Sequence, residues 1–483
     1  MTVLDQLAPA PADLVSRLGA TFAAAGEELY LVGGTIRDLL LGSSRAGDDR
    51  DRGDGRADDG NHDLDFATSA PPAATHALLE GLGVGSVYAI GEQFGTIGLA
   101  IEAGHGRITV EVTTYRAEQY PDGSRHPEVR FGTSLLEDLA RRDLTVNAIA
   151  ASATTGELVD PFDGAKDLYQ SRLRAVGDPD ARFADDPLRL LRAARLVAQL
   201  GFAIAGETAD AMTRQAATLA RISRERILAE LTRLLTGRWA SHGLHALLDT
   251  GLLVQAMPEL GELAAEAMVT RSVHREKDLW DHTLRVVDGT PPRPAVRWAA
   301  LLHDAAKPRT RSIGPGGEVH FFGHERVGAD LAGALLRRLT ADKATVATVA
   351  RLVELHLRPA SYDEGWTDSA VRRLTLEAGD VLDDLLDLVA ADVTSANARK
   401  RQAARDRMAA LRAHIARLEE ELALADLKSP LDGDQMMALF DRPPGRWIAE
   451  VKDQLRELVI DGELGPHDTA RAEAIARELL AGG

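Results

Sequence analysis

The sequence predicts an α+β protein: a small mixed α/β domain near the N-terminus, then a long all-helical remainder. Three observations carry this. Short β-like runs, Ser86-Val-Tyr-Ala-Ile90, Thr96-Ile-Gly-Leu-Ala-Ile101 and Ile108-Thr-Val-Glu-Val-Thr113, are interleaved with helical patches between residues 29 and 160. From about residue 183 onward, Leu/Ala/Arg-rich segments with three-to-four spacing dominate and strand signals almost vanish. Two aspartates stand as D-L-D in Asn61-His-Asp-Leu-Asp-Phe-Ala-Thr68, downstream of the glycine turn in Leu31-Val-Gly-Gly-Thr-Ile-Arg-Asp38.

In an extended strand alternate side chains share a face, so Asp63 and Asp65 lie together and repel unless a cation holds them. Such a pair suits magnesium and an in-line phosphoryl displacement. Gly33-Gly34 lets backbone N–H groups approach a triphosphate closely, and Arg37, one turn into the helix that follows, adds a forked cationic contact. Between Gly42 and Asn61 a Ser/Asp/Arg/Gly-rich stretch reads as an insertion in a surface loop. Glu111 in Val110-Glu-Val-Thr-Thr-Tyr-Arg116 is either a third carboxylate from a neighbouring strand or a solvent-facing strand residue. Glu137 to Ile149 reads as a helical segment whose Arg142, Asp143 and Asn147 reach a ribose or triphosphate, or form a structural ion-pair cluster.

In Phe183-Ala-Asp-Asp-Pro-Leu-Arg-Leu-Leu-Arg-Ala-Ala-Arg195, Asp185 or Asp186 suits an N-cap and Pro187 the first helical turn. Arg189, Arg192 and Arg195 recur every three residues on one broad face. An acceptor-only Asp beside a donor-only Arg can make a two-point contact with a base edge; the alternative is a capped helix with a solvated arginine face. Breaks follow at Gly289-Thr-Pro-Pro-Arg-Pro294 and at the Gly314-Pro-Gly-Gly317 turn.

At 483 residues and 45% hydrophobic, the chain divides into two to four domains. Zero cysteines exclude disulfides and Cys-based zinc sites, leaving His and carboxylates as metal ligands. No apolar run approaches the ~20 residues that span a bilayer, and no signal-like segment opens the chain. The expectation is a cytoplasmic protein without a membrane partner. A net charge of −18 argues against nucleic acid, but phosphate affinity follows the local field rather than the total.

Leu31 to Gly42, Asp63-Leu-Asp65, Arg141-Arg-Asp-Leu-Thr-Val-Asn-Ala148, Asp160-Pro-Phe-Asp-Gly164, Asp185-Asp-Pro-Leu-Arg189 and Ile222-Ser-Arg-Glu-Arg-Ile227 occur in that order. The chain thereby resembles, over about residues 28 to 260, the class II CCA-adding tRNA nucleotidyltransferases and the related bacterial poly(A) polymerases. The resemblance implies a polymerase-β-like nucleotidyltransferase head, then an all-α neck and body that select the base and hold tRNA. It implies that Asp63 and Asp65 bind Mg2+ and that Gly33, Gly34 and Arg37 take the triphosphate. Arg142 and Asp143 would serve the triphosphate and ribose, Asp186 and Arg189 would read CTP or ATP, and Arg192 and Arg195 would flank the nucleotide. Tyr115 to Phe131 resembles the flexible loop that the family uses when the template changes from C to A. Asp185 stands where the family usually has Glu.

Asp281-His282, Ala299 to Pro308 with His303-Asp304, Phe322-Gly-His324, Leu355-His356 and Ala391-Asp392 form an ordered His/Asp series on helices. Imidazole and carboxylate together suit transition metals. The series resembles the HD superfamily of metal-dependent phosphohydrolases: His282, His303, Asp304 and Asp392 match its basic ligand set, and His324 and His356 the added ligands of two-metal members. Ni, Mn and other transition metals stay open, as does a site that only stabilises the bundle. Some such domains fused to these transferases hydrolyse 2',3'-cyclic or 2'-phosphates, and Lys307 would sit near a substrate phosphate. The helix from Arg399 through Arg417 is a phosphate-binding face or a solvated one.

The expected layout is an N-terminal helical segment over 1–27, a head over 28–165, neck and body over 166–268, an HD-type domain over 269–400 and a helical tail over 401–483. The expected activity is template-independent addition of CCA to tRNA from CTP and ATP, with a phosphohydrolase activity beside it. The alternatives are a poly(A) polymerase, or an HD phosphohydrolase whose N-terminal half is a tRNA-binding module.

Overall fold

The computed structural model describes residues 2–45, 62–90, 95–103, 106–119, 128–132, 134–270, 279–363, 365–393, 398–421 and 428–481. The insertion before Asp63 and the tip of the Tyr115–Phe131 loop lie largely outside these residues. The chain forms two units, residues 1–234 with 242–256, and residues 235–241 with 257–483.

The first unit is built on a seven-stranded sheet. Its strands are β1 (Leu29–Val32), β2 (His62–Thr68), β3 (Ser86–Ile90), β4 (Thr96–Ala103) and β5 (Gly106–Thr114). After the hairpin of β6 (Arg116–Gln119) and β7 (Glu128–Phe131), which pairs by itself, come β8 (Ala150–Ser152) and β9 (Leu158–Val159). The order is β3-β4-β5-β2-β1-β8-β9, with β2 and β5 parallel and the other neighbours antiparallel. β2 and β5 carry Val, Ile, Leu and Phe at alternate buried positions, as strands with one covered face do. On β2, Leu64 and Phe66 point to the core while Asp63 and Asp65 face outward. The register sets Asp65 opposite Glu111 and Asp63 opposite Thr109.

The structure corrects two readings. Glu137 to Ile149 is not one helix: the helix Leu135–Ala140 stops, and Arg142 to Asn147 runs through a turn into a 3-10 turn at Thr145–Asn147. The cause is local pinning. Asp138, 1% exposed, accepts from Arg141 and Arg142, and buried Asp167 accepts from Thr145 Oγ1 (2.7 Å), Arg172 and Arg174. Gly164 belongs to the same packing, since a Cβ there would meet the Thr145 carbonyl oxygen at 2.2 Å. The helical remainder also contains short strands that its periodicity hid: Ala203–Ile204 pairs with Arg172–Leu173, and Ser312–Ile313 with Val319–His320. The first pair is parallel; the second is a hairpin that closes through Gly314-Pro-Gly-Gly317.

The second unit is helical apart from that hairpin among the described residues. Helices Leu279–Gly289, Pro294–Leu302, His324–Arg338, Lys343–Leu355 and Leu382–Asp392 surround a core that includes Trp280, Trp298, Leu302, Leu335, Leu352 and Leu388. The basic helix Ala398–Glu421 packs on this bundle as a strut. Arg412 pairs with Asp383 and Asp387, and Arg417 with Asp368, which His414 also contacts, so these two arginines are committed within the protein. The last three helices, Gly433–Phe440, Arg446–Ile460 and Thr469–Ala481, close on Met436, Val451, Leu455, Val459, Ala472 and Ala476.

Candidate active site and metal centre

β1 ends at Val32, and Gly33 turns the chain with φ +72°, a conformation that favours glycine, into the helix Gly34–Arg45. A Cβ on Gly33 would lie 3.3 Å from Arg142 Nη1 and 3.9 Å from Asp65 Oδ2, so the turn, the arginine and the carboxylate form one spot. Thr35 Oγ1 donates to the Asp63 carbonyl at 3.1 Å, tying the helix start to β2. Backbone N–H groups at this helix start supply positive potential beside the carboxylates.

Partial loss of surrounding water on the cleft wall raises the Asp65 carboxyl, although the side chain stays open to the cleft; Arg142 opposes the shift and Asp63 reinforces it. Burial likewise raises Glu111, with Asp65 and Asp63 adding to it. Asp65 and Glu111, with Asp63 on the same strand face, offer hard carboxylate oxygens of the kind a divalent cation takes.

Beside them opens a cleft of about 520 Å³ lined by Gly33, Gly34, Arg37, Asp65, Arg141, Arg142, Asp143, Asn147, Arg189, Arg192, Arg195 and Gln199. Arg37 is held by Asp38 (Nε to Oδ1 2.8 Å) and by Asn147 Oδ1 (2.9 Å). Asp143 is buried, which alone raises a carboxyl. The guanidinium of Arg192 at 2.8 Å, with hydrogen bonds from Asn147 and the Leu144 amide, instead holds it below the usual range. Asp143 thus lines the cleft with its carboxylate paired to Arg192.

The neck helix Leu188–Leu200 buries Leu190, Leu191, Ala194 and Val197 and turns Arg189, Arg192 and Arg195 to the cleft. Asp186 accepts from the Leu188 amide (3.1 Å) and from Arg226 (3.1 Å). Arg189 donates to the carbonyls of Arg182 (3.0 Å) and Arg141 (2.8 Å), which fixes its guanidinium across the head and neck motifs. Glu230, which sequence reasoning missed, is buried and pairs with Arg195 at 3.1 Å. The signal was present: Glu230 sits in the apolar stripe of Ile227, Leu231 and Leu234, where a charge needs a buried partner.

The second unit gathers all six residues of its His/Asp series. His282 Nε2 lies 3.2 Å from Asp304 Oδ2 and 3.1 Å from Asp392 Oδ1, and His303 Nε2 lies 3.3 Å from Asp304 Oδ2. His324 Nε2 is 3.5 Å from Asp304 Oδ1, and the rings of His356 and His324 stand 5.3 Å apart. Four of the six sit at helix ends: His303 and His356 close their helices, His324 opens one and Asp392 ends another. His303, His324 and His356 each present Nδ1 to the carbonyl three residues back, at 2.8, 2.7 and 2.6 Å. With Nδ1–H so engaged, Nε2 is left as the lone-pair donor.

His282, His303 and Asp304 make one ligand cluster, and Asp304, His324 and His356 a second, with Asp304 shared. Asp304 Oδ1, His324 Nε2 and His356 Nε2 are buried without hydrogen-bond partners in the protein, as ligand atoms for a cation are. Burial opposes charge on His303, yet Asp304 and Asp392 push it up to about 10, so a cation binding at its Nε2 would displace a proton; burial and His303 drive His356 down to about 4. Lys307 Nζ rests 2.6 Å from Asp304 Oδ2.

The family models agree with this geometry in position. The chain matches the "Poly A polymerase head domain" over residues 29–174, the "Probable RNA and SrmB- binding site of polymerase A" over 201–263 and the "HD domain" over 279–397. It is 31% identical to a CCA-adding enzyme of a Geobacillus species over 465 residues, 95% of each chain. The chain belongs to the CCA-adding tRNA nucleotidyltransferase family. It is also 33% identical to an A-adding tRNA nucleotidyltransferase of Deinococcus radiodurans over 464 residues, covering 92% of this chain and 94% of that one. Among solved structures, a Bacillus stearothermophilus CCA-adding enzyme in complex with CTP superposes with a TM-score of 0.68 at 26% identity, covering 98% of each chain. A Thermotoga maritima CCA-adding enzyme complexed with tRNA has the same fold, with a TM-score of 0.57 at 17% identity over 99% of this chain and 97% of that one. As a member of this family the chain is a nucleotidyltransferase with a polymerase-β-like head and an HD domain. No described helix is long and apolar enough to cross a membrane.

Proposed function

We propose that this protein adds C, C and A to the 3' end of tRNA, using CTP and ATP and working in the cytoplasm. One observation carries the reading: Asp65, with Asp63 on the same outward face of its strand and Glu111 across the strand pair, lines the arginine-rich cleft at a glycine turn. Asp63 and Asp65 would hold magnesium, which when bound would supply charge neutralisation and lower the pKa of the terminal 3'-hydroxyl. The amides at Gly33 and Gly34, with Arg37 and Arg142, receive the triphosphate. Arg192 and Arg195, kept in place by Asp143 and Glu230, flank the nucleotide. Asp186 and Arg189 read the base, which requires Arg226 to release the Asp186 carboxylate.

The 3'-oxygen bonds to the α-phosphorus as the bond to the bridging oxygen breaks. Pyrophosphate leaves against the cationic wall, and the hydroxyl proton passes to solvent. Preorganised charge of this kind is the largest catalytic term in most enzymes, with single donors worth ~3 kcal/mol.

In the second unit we assign a metal-dependent phosphohydrolase. His282, His303, Asp304 and Asp392, with His324 and His356, would hold one or two transition-metal ions such as Ni or Mn, which supply Lewis acidity and an activated water. Lys307, next to Asp304, is placed to neutralise a substrate phosphate.

Incubation with tRNA lacking its last three nucleotides, plus CTP and ATP, tests the transferase assignment. The expected product is extended by three nucleotides ending in A. The full-length similarity to an A-adding enzyme motivates one rival, under which only tRNA already ending in CC is extended. A long adenosine ladder would mark a poly(A) polymerase instead.

A further inference from the structure

We propose that Phe322, backed by His320, is a stacking platform for the base of the nucleoside whose phosphate ester enters the HD metal centre. The proposal rests on the phosphohydrolase assignment above and adds the side chain that would hold the base of the substrate.

Phe322 is 77% exposed, in a chain with only 4% aromatic residues. It is not loose on the surface. Its ring stacks on His320 with centroids 4.9 Å apart and planes 15° from parallel, and most of its area remains open to solvent. His320 is itself set by the Ser312–Ile313 and Val319–His320 hairpin, where it pairs with Ser312.

The platform is coupled to the metal centre through the backbone. The Phe321 carbonyl accepts from His324 Nδ1 at 2.7 Å, so the residue preceding Phe322 orients a ligand that follows it by two. Lys307 bridges the two features: its Nζ lies 2.6 Å from Asp304 Oδ2 and 5.6 Å from the Phe321 ring centroid. Exposed Arg311 and Arg326 flank this segment in the chain, while Glu318 stands 3.7 Å from His320 and Glu325 3.7 Å from His324.

A ring held flat and open two residues from the metal ligand His324 matches the π face of any base. Phosphate at the centre and base on the ring are the two ends of one nucleotide. Nearby Ile313, 66% exposed, gives the segment an apolar rim, which also suits a protein partner. The adjacent cations and metal ligands favour the nucleotide, and the test separates the two.

The full-length, manganese-loaded protein is assayed on three probes: a short RNA ending in a 2',3'-cyclic phosphate, a 2',3'-cyclic mononucleotide, and glycerol 1,2-cyclic phosphate, which has no base. Phe322→Ala is expected to raise KM for a nucleotide probe about tenfold with kcat nearly unchanged, and Phe322→Trp to restore it. Hydrolysis of the glycerol ester and CCA addition should not move. An effect on the RNA alone identifies RNA ends as the source; an effect on the mononucleotide alone identifies free nucleotides. An unchanged KM for both overturns the platform and leaves the rim to a protein partner. A readout independent of turnover is photocrosslinking of RNA bearing 3'-terminal 5-iodouridine to metal-free protein, which should map to the peptide containing Phe322. Crosslinks confined to other peptides contradict the platform. If the wild-type protein hydrolyses none of the probes, the phosphohydrolase assignment fails by itself, and the crosslink alone decides the platform.

Discussion

Asp143→Asn tests how the nucleotide cleft is held open. The substitution keeps the shape and the capacity to accept from the Leu144 amide, but it removes the counter-charge 2.8 Å from Arg192. Breaking a fully buried pair costs about 3–5 kcal/mol. Arg192 is 40% exposed in its side chain, so solvent screening reduces this to about 1–3 kcal/mol. For a unit of this size, ~2 kcal/mol lowers Tm by about 4–8 °C. The assay is thermal unfolding with and without CTP, reading the transition that CTP shifts. The pH dependence carries the sign. Asp143 is depressed in the folded protein, so its contribution is present above the ordinary carboxylate range and is lost as pH falls through its folded value. The variant should therefore lose part of the acid limb of the wild-type stability curve. CTP and ATP affinity should fall along with Tm, because Arg192 loses its anchor. An unchanged Tm with unchanged nucleotide affinity would refute this role for the pair.

Asp65→Ala should abolish nucleotide incorporation, with circular dichroism unchanged. Because Asp65 and Glu111 are raised, the wild-type rate should rise with pH through a value above the ordinary carboxylate range, and higher magnesium should move that limb to lower pH; a magnesium-independent limb counts against shared cation binding. His303→Ala should lose bound transition metal, measured by elemental analysis, and phosphohydrolase turnover while CCA addition persists. Arg189→Ala, which cuts the tie to the Arg141 carbonyl, should loosen selection of CTP and ATP over UTP and GTP in single-turnover assays; unchanged discrimination removes its base-reading role.

Much of this arrangement was legible because it depends on local period and on motif order. The alternation in His62–Thr68 is enough to put Asp63 and Asp65 on one face, and three-residue spacing is enough to align Arg189, Arg192 and Arg195. Four HD residues sit at helix ends, where spacing and breaks are visible in sequence. Partnerships across long separations were not legible. Nothing near Asp143 announces Arg192, and the helical reading of Glu137–Ile149 failed because Asp138 and Asp167 pin that turn from opposite ends. In the Arg399–Arg417 helix the partners of Arg412 and Arg417 were not legible either, because Asp368, Asp383 and Asp387 lie on other helices. The Ser312–His320 hairpin was hidden because two-residue strands leave no period to detect.

The most direct test of the transferase assignment is a crystal structure with CTP and Mn2+, read by anomalous scattering at the manganese edge. The expected result is manganese bound by both Asp63 and Asp65, with the triphosphate against the Gly33–Gly34 turn and the cytosine facing Asp186 and Arg189. Manganese away from the aspartate pair, or CTP seated outside the arginine cleft, would contradict it.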